Sequence, residues 1–343
     1  MTMGVNLSNL VHPAPIQLKD IRGKKAAIDA PNILYQFLSI IRQRDGTPLK
    51  DSQGRITSHL AGLLYRTSHL VENNIKPVYV YDGKPHPLKK HILEKRREIK
   101  EKATAEWQEA LKIGDIEEAR KKAQQTSRLT PELIEESKHL LNTLGIPYVD
   151  ALSEGEAQAS QMTQDGTVDI TASQDFDSLL FGSPFLIRNL TITGKRKLPG
   201  KKKWVDTQPE KIILADVLKT HGITHKQLVE IAILVGTDFN EGIKGIGPAN
   251  GLKLIQKYES LDKIISTHKI NQDNLDNYEE IMKIFLEPQI KRNIPLHWRP
   301  IDKEETIHFL CDEHQFSLDR VKSALDKFEG FSHSLSQKNL LDF

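Results

Sequence analysis

Two short apolar runs, each closed by an aspartate, constrain this chain most: residues 24–29 (KKAAID) and 77–82 (PVYVYD). Runs this short and this rich in Ala, Ile, Val and Tyr read as buried strands. Between them, residues 56–72 repeat apolar side chains at helical spacing, so the first 80 or so residues read as a βαβ unit. In an open parallel sheet the loops at the carboxyl edge converge over a crevice, and ligands bind there. Asp29 and Asp82 both stand at that edge.

The alternation resumes further on. An amphipathic helix at 131–144 leads through Gly145 and Pro147 to a strand at 148–149, and more strands are expected at 168–172 and 185–187. Helices at 227–235 and 249–258 flank a glycine-spaced loop, and residues 260–330 read as helical and mixed. The predicted fold is α/β, a mostly parallel central sheet flanked by helices. A length of 343 residues leaves room for two or three domains, or one large domain with insertions. A single cysteine, Cys311, allows no internal disulfide and no Cys-based zinc site, which points to a reducing compartment. No apolar run approaches the roughly 20 residues that span a bilayer. A soluble, intracellular protein with no membrane association is expected.

The net charge of +2 conceals a sorting of charge. Residues 89–102 (KKHILEKRREIKEK) hold seven Lys or Arg against three Glu, and 195–203 (KRKLPGKKK) hold six basic residues and no acid. The second run reads as an exposed hairpin. From residue 88 to about 111 the chain shows only a thin apolar line, Ile92, Ile99, Trp107 and Leu111, before Gly114-Asp115 breaks it ahead of a short helix at 116–124. So polar a helix pair is expected to project from the body and to gain order from a partner. Acids gather elsewhere, in SEGEA (153–157), SQDFDS (173–178) and GTDFNEG (236–242). Such blocks suit a chain that attracts a polyanion and also concentrates negative charge.

Seven acids are candidates for one crevice: Asp29, Asp82, Glu154, Glu156, Asp175, Asp177 and Asp238. Two carboxylates about 6 Å apart repel by about 3 kcal/mol at an effective dielectric near 20. Such a cluster must take up protons or divalent cations, and oxygen-only ligands favour Mg²⁺ or Mn²⁺. Two metals about 4 Å apart suit in-line phosphoryl displacement. Each acid alone has a plainer reading: Ser153 and Glu156 form a capping-box pattern, Asp177 could cap a helix and Asp238 a turn. Capping does not account for the paired acids together with two strand-end aspartates. Residues 242–258 (GIKGIGPANGLKLIQKY) space Gly242, Gly245 and Gly247 for close backbone approach to a ligand, and Pro248 suits a first helical turn. A glycine-rich turn between packed helices is the alternative. Lys89 and Arg96, seven apart, share a helix face and could point at the crevice; Tyr35 could stack a base. At the end, Gln337, Leu340 and Phe343 are spaced to fold into a groove on a partner, while residues 332–343 are expected to lack structure alone.

Together these residues resemble the flap endonuclease family of structure-specific 5′ nucleases (XPG/RAD2-type), in its archaeal form. The similarity covers nearly the whole chain through IDAPNILYQFL, SHLAGLLYRT, KPVYVYDGKP, SEGEAQAS, SQDFDSLLFG, NLTITGKRKLPGK and LVGTDFNEGIKGIG. The resemblance implies a PIN-like 5′-nuclease fold with an inserted helical arch and a helix–two-turn–helix. Its implied regions are 3–105 (N-terminal nuclease region), 106–125 (rest of the arch), 126–260 (internal nuclease region), 261–331 (C-terminal helices) and 332–343 (tail with a clamp-binding box). It implies metal ligation by the seven acids, two Mg²⁺ per site, and catalytic roles for Lys89 and Arg96 at the base of the arch. Tyr35, Arg42, Arg66, Glu154, Gly236 and Asp238 match DNA-binding positions. Gly242, Ile243 and Ile246 would hold duplex DNA through K⁺, and the tail would bind the sliding clamp (PCNA).

The implied activity is two-metal cleavage of a 5′ flap near its junction, with lesser 5′-3′ exonuclease action. The implied setting is Okazaki-fragment maturation and long-patch base-excision repair, by a monomer in an archaeal cytoplasm. Two departures stand out: Met1-Thr2 precede the expected Met-Gly start, and the tail carries one terminal aromatic where the clamp box usually has two. A sister activity on bubbles, gaps or four-way junctions is the nearest enzymatic alternative. A non-catalytic, clamp-recruited DNA-binding protein is the alternative of a different class, and it predicts the loss of one or more acids.

Overall fold

The computed structural model describes residues 4–192, 194–197, 204–267 and 275–338. Its strands are β1 (Ala14–Pro15), β2 (Lys25–Asp29), β3 (Lys76–Tyr81), β4 (Tyr148–Asp150), β5 (Ile170–Ala172), β6 (Phe185–Arg188), β7 (Gly194–Lys197), β8 (Trp204–Thr207) and β9 (Glu210–Ile213). Seven of them form one sheet in the order β1-β9-β6-β5-β2-β3-β4. The run β6-β5-β2-β3-β4 is parallel throughout, while β9 and β1 close one edge antiparallel. Pro15, which has no N–H to donate, is tolerated there because β1 is the edge strand and one of its sides needs no ladder partner. The mostly parallel α/β sheet is the architecture expected. β7 and β8 pair as a separate antiparallel ribbon around the basic run, of which residues 198–203 lie outside the described residues.

Alternate side chains of the central strands enter opposite layers. Ala26, Ile28, Tyr79 and Tyr81 point into a core completed by α1 (Ala30–Ile40) and α2 (Ser58–Glu72). Ala27, Val78 and Val80 face the other side. Helix α1 begins on Asp29, whose carboxylate accepts from the Asn32 amide at 3.1 Å, so the strand-end acid also caps the next helix. Gly62 brings α2 against α1, since a Cβ there would lie 2.2 Å from the Phe37 ring.

The charged insertion folds as α3 (Lys90–Lys112) and α4 (Ile116–Ala123). Against expectation the pair leans on the body. Trp107 donates Nε1–H to the Asp45 carbonyl at 3.3 Å, and Gly46 is so close to α4 that a Cβ would meet Ala123 at 2.5 Å. The expected apolar line packs only in part: Ile92, Trp107 and Leu111 are half-buried and Ile99 is exposed, while the fully buried side chains are Ala103 and Ala110 of α3 with Ala119 and Ala123 of α4. Small side chains let two polar helices approach closely without a hydrophobic stripe.

Helices α5 (Pro131–Thr143), α6 (Gly155–Gln164) and α7 (Asp177–Leu180) follow, the last two lining the carboxyl edge of the sheet. Helices α8 (Leu214–His221), α9 (His225–Val235), α10 (Pro248–Tyr258), α11 (Leu261–Thr267) and α12 (Tyr278–Leu286) build a second core with Phe176, Phe181 and Phe285. The region read as helical and mixed is interrupted: residues 287–302 contain no helix. There Ile294, Leu296 and Trp298 pack over the β2–β3 layer, and Gln158 fastens the segment by exchanging two hydrogen bonds with the Lys291 backbone. After α13 (Lys303–Ile307), α14 runs from Leu318 to Lys338, past the point where structure was expected to end. Val321, Ala324, Leu325, Phe328 and Phe331 anchor it in the first core, and propagation beyond the last anchored turn costs little once the helix is nucleated.

Candidate active site

The acids arrive from separate parts of the chain. Asp29 ends β2, Asp82 follows β3, Glu154 and Glu156 stand at the start of α6, Asp175 and Asp177 follow β5, and Asp238 follows α9. All seven fall within one electrostatic neighbourhood: Asp29 feels Asp82, Glu156 feels Asp177, Asp29 and Asp175, and Asp238 bears on Asp82, Glu154, Asp175 and Asp177.

For Asp29, Asp82, Glu154, Glu156, Asp175 and Asp177, burial is the largest cause of altered acidity, and repulsion from neighbouring acids adds to it. Asp29 is pushed up to about 7, Asp175 to about 8 and Asp177 to about 6. Glu156 is driven well above the usual carboxylate range, and Asp82 and Glu154 are raised. A site this short of positive charge has a standing demand for protons or cations.

Two cations from the arch meet part of it. Lys89 donates to Glu154 and lies 3.8 Å from Asp238, while Arg96 Nη2 donates to Asp238 Oδ1 at 2.6 Å. Burial works against the Lys89 charge, but Glu154 and Asp238 outweigh it and hold the ammonium protonated. Among the described residues no set of three acids is already drawn around one point as a cage for an ion. The donor set itself, oxygen-only, buried and short of positive charge, fits hard divalent cations.

The plainer capping readings can be checked one by one. Glu156 caps nothing; its Oε1 accepts from Ser173 at 2.8 Å and Ser178 at 3.1 Å. Asp177 lies in the first turn of α7, and its Oδ1 accepts from the Val5 amide at 2.8 Å. The turn at 237–240 is closed by Thr237 and Asn240, leaving the Asp238 carboxylate to Arg96. Asp82 accepts from the Gly155 amide at 2.7 Å, and a Cβ on Gly155 would stand 2.9 Å from its carboxylate.

Several of these partners escaped sequence reasoning. Asn32 donates Nδ2–H to Asp175 at 2.6 Å, Ser173 and Ser178 fix Glu156, and the start of the chain supports Asp177. Gly155 inside SEGEA was the one legible signal, a residue without a side chain between two acids.

The other named residues divide. The Tyr35 ring lies beneath Lys100 Nζ at 4.6 Å, on the underside of the arch. Arg42 turns inward, donating to the carbonyls of Leu38 and Gly46 at 2.7 Å each and to Ser127 at 3.0 Å. Arg66 is partly buried on α2. Gly236 and Gly242 have φ of 107° and 69°, and a Cβ at either would strike backbone within 2.7 Å, so the turn after α9 requires glycine there. Ile243 donates its amide to the Leu234 carbonyl, and its own carbonyl accepts from Ile246. Gln337 lies on α14, whereas Leu340 and Phe343 lie outside the described residues.

A crevice of acids at the carboxyl edge of a parallel sheet, overhung by a basic helix, suits metal-assisted chemistry on a polyanion such as a phosphodiester backbone. The sequence pattern of the XPG N-terminal domain matches residues 3–103 and that of the XPG I-region matches residues 145–238. Flap endonuclease 1 of Pyrococcus abyssi is 55% identical over 95% of this chain and 94% of its own length. The solved flap endonuclease-1 of Methanococcus jannaschii superposes with a TM-score of 0.76 at 43% identity, covering 96% of this chain and 99% of that one. The catalytic core of Rad2 in complex with DNA substrate shares the fold, with a TM-score of 0.67 at 22% identity over 95% of this chain and 97% of that one. The chain belongs to the flap endonuclease family and is a DNA endonuclease. Among the described residues no helix is long and apolar enough to cross a membrane.

Proposed function

We propose that this endonuclease seats a branched DNA junction, passes the single-stranded 5′ flap beneath the arch formed by α3 and α4, and cuts near the junction, with lesser 5′-3′ exonuclease action. The reading rests on one observation: seven acids from distant parts of the chain share a crevice into which Lys89 and Arg96 of the arch base also reach. Asp29, Asp82, Glu154, Glu156, Asp175, Asp177 and Asp238 would hold a pair of Mg²⁺, with Mn²⁺ able to substitute. Bound there, the metals would supply Lewis acidity to the attacking and leaving oxygens of an in-line displacement.

The chain's own residues do the remainder. Ser173, Ser178, Asn32 and the Val5 and Gly155 amides fix the carboxylates, so little reorganisation is needed when charge develops. Lys89 stabilises charge on the scissile phosphate and Arg96 positions it. For this both must exchange their carboxylate partners for the phosphate, an exchange favoured once the acids have other cations. Tyr35 stacks the base beside that phosphate when Lys100 leaves its ring. Arg66, Gly236 and the remaining donors of Arg42 contact the backbone. Gly242, Ile243 and Ile246 would present carbonyls to K⁺ shared with the duplex, the Ile243 oxygen while still accepting from the Ile246 amide. Gln337, Leu340 and Phe343 dock the tail on the sliding clamp. The enzyme would act as a monomer in the cytoplasm, in Okazaki-fragment maturation and long-patch base-excision repair.

A labelled 5′-flap substrate tests the reading beside a blunt duplex and a 3′-flap control, with and without Mg²⁺. Cleavage confined to the flap and dependent on Mg²⁺ is expected. Asp175→Ala should abolish it while leaving flap binding in place; retained cutting would reject the ligand assignment.

A further inference from the structure

The basal half of α3 has little apolar footing. Its fully buried side chains begin at Ala103; before that Ile92 is half-buried, Leu93 and Ile99 are exposed, and Leu88 just ahead of the helix touches the second core, so polar contacts do most of the orienting between Lys90 and Lys102. Apart from Lys100 over Tyr35 and Glu101 beside Arg128, those contacts converge on one short segment, the turn between α9 and α10. Asp238 takes Arg96; the Phe239 ring packs edge-on against His86 and lies 5.0 Å from Lys89 Nζ; Glu241 Oε1 receives Lys95 and faces His91 Nε2 at 3.2 Å. His91 and Lys95, four apart, lie on one face of the helix, which makes Glu241 a two-point hold.

The turn that carries Glu241 is stiff. The Thr237 amide donates to the Asn240 carbonyl at 2.9 Å, Asn240 Nδ2 donates to the Ile233 carbonyl at 2.8 Å, and the Ile243 amide donates to the Leu234 carbonyl at 2.8 Å. A stiff support under a sparsely footed helix end is a means of setting the helix's angle. Asp238 belongs to the acidic crevice and Phe239 to the second core, whereas the Glu241 side chain is half exposed and enters neither.

We propose that Glu241 is a positioning residue: it ties the arch base to the turn that would grip duplex DNA, so that Lys89 and Arg96 meet the scissile phosphate once the duplex is seated. The proposal rests on the flap-cutting reading above and adds a link between two of its parts. An exposed ion pair contributes little to stability and is screened by salt, so its effect is to be sought in rate.

The test measures single-turnover cleavage of a 5′-flap substrate at saturating enzyme with Mg²⁺, and the dissociation constant for the same DNA in Ca²⁺. Glu241→Ala and Lys95→Glu should each slow cleavage about threefold to tenfold and change affinity less than about twofold. The exchanged pair Glu241→Lys with Lys95→Glu should return the rate to within about twofold of the parent, and raised salt should bring parent and Glu241→Ala together. Equal losses in rate and affinity, an unaltered rate in Glu241→Ala, or an exchanged pair no better than its worse member would overturn the proposal. Failure of the parent chain to cut the flap would instead overturn the functional reading beneath it.

Discussion

Asp175→Asn removes one carboxylate from the crevice while keeping its shape, and the consequence can be worked out for metal-free protein. Burial, with repulsion from Asp177, Asp29 and Asp238, raises Asp175 from 3.8 to about 8. The folded state therefore keeps a proton that the unfolded chain gives up, and stability falls as pH rises from the unfolded value towards the folded one. At about 1.4 kcal/mol per unit, the wild-type side chain forfeits roughly 4 kcal/mol between about pH 5 and pH 8. Its neighbours relax when it is removed, so roughly half, about 2 kcal/mol, is a reasonable expectation for the gain of the variant across that interval. An entropy of unfolding near 2 cal/mol/K per residue makes this about 3 °C in Tm for a chain this long. The Asn amide oxygen can still accept from Asn32, so no buried donor is orphaned.

Calorimetry in chelator at the two pH values gives the answer. Asp175→Asn should melt about 1 °C above wild type at about pH 5 and about 4 °C above it at about pH 8. Added Mg²⁺ should close the gap at the higher pH by raising wild type. A variant that melts lower at both pH values, or a wild type whose metal-free stability does not fall across the interval, would refute the account of a crevice strained by its own charge.

Lys89→Ala should lose cleavage rate by about a hundredfold or more with a loss in flap affinity of a few fold, measured by single-turnover kinetics and binding; equal losses would show a binding role only. Gly4 has φ of 82° and a Cβ there would lie 2.9 Å from Asp177 Oδ1, so Gly4→Ala should raise the Mg²⁺ concentration needed for half-maximal cleavage severalfold, and an unaltered Mg²⁺ titration would show that the start of the chain does not support Asp177. Gly62→Ala forces a methyl into the Phe37 ring and should cost about 1–3 kcal/mol of stability, read by denaturant unfolding, with the active-site chemistry untouched.

What the sequence disclosed and what it hid follow from the kind of interaction involved. Strands β2 and β3 were legible because burial on both faces demands a continuous apolar run, and the acids at their ends were legible because nothing apolar explains them. Strand β9 was missed: two of its four residues are charged, and its place between β6 and the two-residue edge strand β1 comes from tertiary pairing rather than from composition. The arch was legible as polar but not as docked. Alanines and the Trp107 bond to the Asp45 carbonyl hold its far half, and side-chain pairs with the α9–α10 turn hold its base. Alanine carries no hydropathy signal that separates a tight interface from an exposed helix face.

The same division runs through the site. Seven carboxylates announced themselves by the cost of gathering them, whereas the groups that orient them, Ser173, Ser178, Asn32 and two backbone amides, are ordinary residues whose role exists only once distant segments meet. Lys100 shows the limit most clearly. Nothing in a run of alternating basic and acidic residues distinguishes it from Lys102, yet the helix pitch sets one over Tyr35 and leaves the other exposed. A positive charge over the face of an aromatic ring is favourable by about 0.5–2 kcal/mol, comparable to stacking a base on the same ring. In the proposed mechanism, occupying Tyr35 thus becomes a near-balanced exchange that incoming DNA can tip, rather than a vacant platform awaiting its ligand.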